Sequence, residues 1–267
     1  MSQSLHLVSA GSGEPVLLLH SGGMSSRQWR RTIDALSPSF RVIAPDFLGC
    51  GENPLWPEDE PFHFKYDIQA VERLIADLAG PVHLVGHSYG GFIALHVARR
   101  TPARIRSIAV YDPVAFGVLY EPEDAEALEG FRRIEENPAL SDPAKGGGPE
   151  WMQAFIEFWN GPGSWKTLPA ATQNAFLRVG KKVYGEVFTQ MRDRTPAASY
   201  STVTAPALLL HGEISPLASR RVVERIGAAM PKATVRTVAG AGHMGPITHS
   251  GVVNDWVFRH IQASAQS

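Results

Sequence analysis

Val82-His83-Leu84-Val85-Gly86-His87-Ser88-Tyr89-Gly90-Gly91 decides how this chain is read. Its first half is a short apolar run, rich in valine and leucine, that fits a strand buried on both faces of a parallel sheet. The run stops at Gly86. After Ser88, the sequence Tyr89-Gly90-Gly91-Phe92-Ile93-Ala94-Leu95-His96-Val97-Ala98 opens a helix with small residues. Gly86-His87-Ser88-Tyr89-Gly90 is thus a G-x-S-x-G pentapeptide between a strand and a helix. The flanking glycines let strand and helix approach closely, and the serine takes a strained backbone conformation. Its hydroxyl then stands above the sheet at a helix N-terminus, where free N–H groups and the dipole favour developing negative charge. Ser88 is the expected nucleophile. An ordinary strand-to-helix loop is the plainer reading of the pentapeptide alone, and the strand and helix around it decide against that.

The chain has 267 residues, enough for one large α/β domain with an insertion or for two small domains. A composition of 44% hydrophobic and 19% charged residues is ordinary for a soluble globular protein. The formal net charge of −1 leaves no electrostatic footprint for nucleic acid or for an anionic membrane. Met1 to Pro15 has neither the basic start nor the apolar core of a secretion signal. The longest apolar runs, such as Val16 to Leu19, are far too short to span a bilayer. Cys50 is the only cysteine, so no internal disulfide can form and a reducing cytoplasm is the expected location. Cys50 lies in a glycine-flanked loop, but lone cysteines are seldom nucleophiles.

Around the elbow, strands and helices alternate. Leu5 to Val8 fits an edge strand, closed by a turn at Gly11-Ser12-Gly13. Val16 to His20 fits a buried strand that empties into Ser21-Gly22-Gly23-Met24. Trp29, Ile33 and Leu36 recur at helical spacing, and Arg41 to Ala44 is the next strand, ending in Pro45-Asp46-Phe47-Leu48-Gly49-Cys50-Gly51. Ile68, Val71, Leu74, Ile75 and Leu78 mark the helix before the elbow strand. Ile105 to Tyr111 follows as a strand with Asp112-Pro113 at its carboxyl end. This alternation predicts a parallel sheet covered on both faces. The texture changes near Ala115 and reverts near Ala205. Residues 115–202 carry no buried strand, are acidic from Glu121 to Glu136, and gather Phe155, Phe158, Trp159 and Trp165. They are expected to form an inserted helical cap on a core of residues 1–114 and 203–267. Pro206 to His211 resumes the sheet, and Thr234 to Val238 is its last strand, leading to Ala239-Gly240-Ala241-Gly242-His243-Met244-Gly245.

A serine hydroxyl is a weak nucleophile and needs a neighbouring base. His243 is the best candidate, because its loop follows the last strand at the carboxyl edge, where open α/β sheets carry their sites. His87 is expected to pack beneath the elbow, His20 and His211 to be bonded to backbone at strand ends, and His249 to be exposed or locally bonded. The oxyanion of a tetrahedral intermediate needs two fixed donors. The Tyr89 backbone N–H is one, and Gly22, after the Val16–His20 strand, is the first choice for the other.

With these motifs in order, the chain resembles α/β-hydrolases with a serine nucleophile. The resemblance rests on His20-Ser21-Gly22-Gly23, the Asp46-to-Gly51 turn, the Gly86-to-Gly90 elbow and Gly242-His243, and covers nearly everything outside the cap. It implies an eight-stranded, mostly parallel sheet with a lid over the site, and a nucleophile–acid–histidine order along the chain. One position departs from it. The family usually carries its acid after the penultimate strand, where this chain has Gly212-Glu213-Ile214-Ser215-Pro216, and Ser215 cannot hold the charge. Two carboxylates can stand in: Asp112, which ends the strand after the nucleophile helix at the correct edge of the sheet, is the first choice, Glu213 is the alternative, and a chain with no working acid is the third possibility. The plainer reading of Asp112 is a cap on its own turn before proline.

Gly240 to Gly245 matches G-x-G-x-x-G, but too little chain follows to complete a nucleotide-binding unit. Gly146 to Gly148 follows no strand and lacks the ending of a phosphate loop. Asp46 is expected to cap its own turn. No histidine pair has the spacing of a helical zinc site, so neither metal nor cofactor is expected. The expected activity is ester or related acyl hydrolysis through an acyl-enzyme, with Phe155, Phe158 and Trp159 suggesting a small apolar substrate. Alternatives are a ligand receptor with little or no turnover, motivated by Ser215, and carbon–carbon bond hydrolysis, perhydrolysis or acyl transfer on the same scaffold. Epoxide and haloalkane hydrolysis on this fold use a carboxylate nucleophile, which Ser88 disfavours. Oligomeric state is not legible in the sequence.

Overall fold

The computed structural model describes residues 4–265, with the backbone alone for 132–135. Residues 1–3 and 266–267, part of the leader stretch and of the outer core boundaries read from sequence, lie outside the described residues, as do the 132–135 side chains of the acidic stretch.

Seven strands form one sheet in the order β1-β3-β2-β4-β5-β6-β7. They are β1 (Leu7–Ala10), β2 (Pro15–Leu19), β3 (Arg41–Pro45), β4 (Val82–His87), β5 (Ile105–Tyr111), β6 (Ala207–Gly212) and β7 (Ala233–Val238). All neighbours are parallel except β1, which pairs antiparallel with β3 at the edge. The eight strands implied by resemblance are therefore seven among the described residues. Each of the seven lies at a segment read as a strand from sequence, with β1 two residues later than the expected Leu5 to Val8.

The helices α1 (Arg30–Leu36), α2 (Lys65–Ala76) and α3 (Tyr89–Arg100) connect the first five strands. Between β5 and β6 come α4 (Ala125–Glu135), α5 (Pro138–Ser141), α6 (Pro149–Asn160), α7 (Ser164–Thr167), α8 (Ala170–Arg178) and α9 (Gly180–Gln190). The fold closes with α10 (Leu217–Ala229), α11 (Gly245–Thr248) and α12 (Ser250–Ala265).

Side chains alternate across a strand, and the core follows that period. Leu17 and Leu19 join Ile43 and Leu84 on one face, under Ile68 of α2, Phe92 of α3 and Val223 of α10. Val16 and Leu18 join Val42 and Val85 on the other, under Leu36 of α1 and Val253, Val257 and Ile261 of α12. Each such aliphatic side chain contributes about 1.5–3 kcal/mol by leaving water, so a register slip of one residue would be costly.

The helical insertion has a core of its own, in which Trp151, Met152, Ile156, Trp165 and Val183 pack together. It is pinned to the sheet domain by polar contacts as well. Lys182 of α9 reaches Asp67 of α2 at 3.0 Å, and the Gln190 amide donates to the Val114 carbonyl.

Candidate active site

Strand register brings the site together. His87 pairs with Tyr111 across β4–β5, Tyr111 with Leu210 across β5–β6, and Gly212 with Val238 across β6–β7. The ladder runs one step further: Ser88 N–H donates to the Tyr111 carbonyl at 2.9 Å and Asp112 N–H to the Leu210 carbonyl at 2.8 Å. Ser88, Asp112, the segment after Gly212 and the loop after Val238 thus emerge side by side at the carboxyl edge, the position where open α/β sheets place ligands.

Two of these residues are strained. Ser88 (φ 53°) and Asp112 (φ 42°) are the non-glycine residues with positive φ among the described residues. Such backbone costs on the order of 1–3 kcal/mol and persists only where its surroundings enforce it. The glycines beside Ser88 permit the bend. A Cβ on Gly86 would lie 2.7 Å from the Gly91 Cα, and one on Gly90 would lie 2.5 Å from the His20 carbonyl oxygen. Backbone blocks both positions, so only glycine fits.

His243 lies between the other two. Its Nε2 is 2.9 Å from Ser88 Oγ and its Nδ1 is 3.2 Å from Asp112 Oδ2. With Nδ1 protonated and bonded to the carboxylate, Nε2 is left free to accept the serine proton. Ser215, where the resemblance called for an aspartate, donates its hydroxyl to the same Asp112 Oδ2 at 2.6 Å. Its Oγ also accepts from Gly212 N–H at 3.2 Å, which fixes its orientation. Trp159 of α6 stacks on the imidazole at 3.9 Å between ring centroids with the planes 19° apart. That face covers one side of the His243 ring.

A relay that the sequence analysis did not find holds the base and the glycine loop in register. Ser21 N–H donates to Gln28 Oε1 (3.0 Å), Gln28 Nε2 donates to His87 Nδ1 (3.2 Å), and His87 Nε2 donates to the His243 carbonyl (2.7 Å). His87 must be neutral with its proton on Nε2 to complete it. Burial and the neighbouring His243 hold its pKa well below the ordinary histidine value. His20 is similarly committed: Nδ1 donates to the Ser21 carbonyl and Nε2 accepts from Phe47 N–H, and burial lowers its pKa to about 4. His87 and His20 are therefore structural, as their positions suggested, and so is His211, bonded to the Gly212 carbonyl.

Ser88 opens onto a narrow cavity of about 80 Å³. Gly22 and Tyr89 line it beside the serine, and Phe155, Phe158 and Trp159 supply part of its aromatic wall. Trp165 belongs instead to the core of the insertion. Glu186 and Gln190 of α9 also face this cavity, a feature that aromatic clustering in the sequence did not reveal. Glu186 belongs to a buried cluster. Lys182 Nζ bridges Glu186 Oε1 and Asp67 Oδ2, and Asp67 also accepts from the Tyr89 hydroxyl (2.8 Å) and Leu48 N–H (3.1 Å). Burial opposes the Lys182 charge, but Asp67, Cys50 and Glu186 more than compensate and raise its pKa. Burial raises the Glu186 carboxyl to about 7, against the pull of Lys182.

Glu213 is not brought to the site. It is exposed, and its Oε2 accepts from Gly240 N–H at 2.7 Å. Asp46 caps its turn as expected, accepting from the Ser26 and Glu52 N–H groups. Cys50 is buried, and desolvation pushes its thiol up to about 12, which removes it as a nucleophile. Among the described residues, no three His, Cys, Asp or Glu side chains gather where they could hold a metal ion, and no helix is long and apolar enough to cross a membrane.

A mostly parallel α/β sheet with a strained serine, a histidine and a carboxylate at its carboxyl edge defines the class of the α/β hydrolases. The chain belongs to the alpha/beta hydrolase family, whose model matches residues 16–256. It is similar to the cis-3-alkyl-4-alkyloxetan-2-one decarboxylase of Shewanella oneidensis, at 33% identity over 116 residues. That match covers 42% of this chain and 36% of the relative, so the chain spans little more than a third of that protein's length. It is also similar to the (E)-2-((N-methylformamido)methylene)succinate hydrolase of Acinetobacter baylyi, at 24% identity over 256 residues, 95% of this chain and 92% of the relative. Among solved structures, a thermophilic esterase from Thermogutta terrifontis superposes with a TM-score of 0.74 at 22% identity, covering 97% of this chain and 93% of that one. At that identity the likeness shows a shared fold.

Proposed function

We propose that this chain is a cofactor-independent serine hydrolase that cleaves an ester or related acyl bond of a small, largely apolar substrate. The observation that carries the reading is the imidazole of His243 held between Ser88 Oγ and Asp112 Oδ2. Family membership supports hydrolysis as the reaction class.

In this reading, Ser88 Oγ attacks the acyl carbon as its proton passes to His243 Nε2. The carbonyl oxygen becomes an oxyanion held by the Gly22 and Tyr89 N–H groups. The intermediate collapses, the carbon–oxygen bond to the leaving group breaks, and His243 protonates the departing alkoxide. Water then attacks the acyl-serine, His243 takes its proton, and the acid leaves with the serine hydroxyl restored. Asp112 stays ionised throughout, orienting the ring and stabilising its charge. The insertion serves as the lid, with Trp159 closing over the base. A cytoplasmic setting suits a chain with one buried thiol.

The receptor alternative was motivated by the missing aspartate at Ser215. In the proposed reading Asp112 takes that role from the neighbouring strand, supported by its contact with His243 Nδ1 at 3.2 Å. A fluorophosphonate probe tests the proposal directly: prompt stoichiometric labelling of Ser88 is expected, with hydrolysis of p-nitrophenyl butanoate. Ser88→Ala and His243→Ala should each abolish turnover in folded protein. Full activity in either variant would refute the mechanism.

A further inference from the structure

Away from Ser88 and the Gly22 and Tyr89 backbone, the cavity is aromatic and aliphatic except for two polar side chains on one face of α9. Glu186 and Gln190 stand one helical turn apart, and both are nearly inaccessible to solvent. Gln190 spends one of its two amide N–H groups on the Val114 carbonyl, and its amide oxygen remains an acceptor. Glu186 spends Oε1 on Lys182, and among the described residues nothing donates to Oε2. That oxygen is aimed at the glycine loop: a Cβ on Gly22 would lie 2.8 Å from it. An unpaired carboxyl oxygen in an apolar site is unfavourable unless a ligand supplies its partner.

We propose that Glu186 Oε2 is a specificity contact for an acyl substrate carrying a hydroxyl group within a bond or two of the scissile carbonyl. The proposal deepens the hydrolase reading above and rests on it for the location of that carbonyl, at the Gly22 and Tyr89 N–H groups. A hydroxyl suits the site better than a cation or an anion. Lys182 already balances Asp67, so an anionic group would meet two carboxyls and a single, engaged ammonium. An ammonium would have to be desolvated in a cavity whose remaining lining is mostly apolar. A hydroxyl both donates and accepts, so it pairs with Oε2 whether the carboxyl is ionised or protonated. The carboxyl populates both forms near neutrality, since burial raises it to about 7. Gln190, one turn along the helix, offers a second acceptor to the same group.

The test compares p-nitrophenyl 3-hydroxybutanoate with p-nitrophenyl 3-methylbutanoate, which differ by hydroxyl for methyl. The wild-type enzyme is expected to favour the hydroxy ester in kcat/KM by about tenfold or more, the scale of one buried hydrogen bond to a charged or polar group. Glu186→Leu should erase that ratio and Glu186→Gln should keep part of it. Because the ratio is internal to each preparation, partial unfolding leaves it unmoved. The same preference should appear without turnover in Ser88→Ala, titrated with methyl 3-hydroxybutanoate and methyl 3-methylbutanoate by quenching of tryptophan fluorescence. A wild-type ratio near one in both assays overturns the proposal, as does a ratio that survives Glu186→Leu. Failure of the hydrolase reading looks different: no ester is cleaved, while the Ser88→Ala titration still reports on Glu186.

Discussion

Glu186→Gln should change how the protein's stability depends on pH, and the size of the change follows from the buried cluster. With both Asp67 and Glu186 ionised, one ammonium faces two carboxylates inside the protein. Burial therefore raises the Glu186 carboxyl from its ordinary 4.5 to about 7. A tenfold change in proton affinity corresponds to about 1.4 kcal/mol, so the folded state holds this proton more tightly by about 3 kcal/mol. Because the folded pKa is the higher one, the stabilisation is fully present below pH 4.5 and is lost as pH rises to about 7. Glutamine has no proton to lose and leaves Lys182 paired one-to-one with Asp67. The stability of Glu186→Gln relative to wild type should thus increase by about 3 kcal/mol between mildly acidic and mildly alkaline pH. His20 contributes with the opposite sign, since its pKa falls from 6.5 to about 4 and its stabilisation is lost as pH drops through that range. That term is common to both proteins and cancels in the difference. Urea unfolding of both proteins across this pH range measures it. A difference that stays constant with pH would refute the account of the cluster.

Asp112→Asn should lower kcat for p-nitrophenyl butanoate on the order of 10⁴-fold, because an amide leaves the imidazole in the wrong tautomer. Glu213→Gln, at an exposed side chain bonded to Gly240 N–H, should leave kcat within about twofold and stability within about 0.5 kcal/mol. In the exchange variant Asp112→Ser/Ser215→Asp, the carboxylate returns to the same point from the next strand. It should recover at least about tenfold of the activity lost in Asp112→Ser alone, given the typical strength of a hydrogen bond to a charged group. Equal activity of the two would show that the 215 position cannot serve the ring. Cys50, with its thiol pushed up to about 12, should be inert to a chromogenic disulfide reagent in native protein and react stoichiometrically in urea. Fast reaction of the native thiol would contradict its burial.

The sheet was legible because it is a local matter. The buried strands β2, β4 and β6 are apolar runs with Gly or Pro at or next to one end, and Ile105–Tyr111 matches the strand expected there at both ends. The eighth strand, which the described residues do not contain, came from resemblance alone, with no run of residues behind it. Ser88 and His243 were legible for a related reason: each sits in a loop whose composition and position after a strand are visible in sequence. Lys182, Glu186 and Gln28 were not. A lysine and a glutamate four residues apart on a helix look like an exposed pair, which is their usual state. Only the docking of α9 against α2 turns that pair inward, and such docking leaves no periodic signature. Trp159 was legible as part of an aromatic cluster, but its stacking on His243 depends on the path of α6 over the sheet.

The acid of the proposed triad, Asp112, is where sequence position and spatial placement diverge most clearly. What the imidazole requires is a carboxylate oxygen near Nδ1, and the chain position supplying it matters only through geometry. β5 and β6 end side by side, and the positions after them address almost the same point, since Ser215 Oγ lies 2.6 Å from Asp112 Oδ2. A carboxylate can therefore be supplied from either strand, provided the residue on the other is small and can donate to it. Ser215 satisfies both conditions: its hydroxyl fills the place of an acid and becomes a hydrogen-bond donor to one. The strained φ of Asp112 is the cost of reaching the ring from β5. Asp112 N–H, bonded to the Leu210 carbonyl, holds that strain in place. Ser215 is thus a departure from the family pattern in sequence that still serves the same point in space.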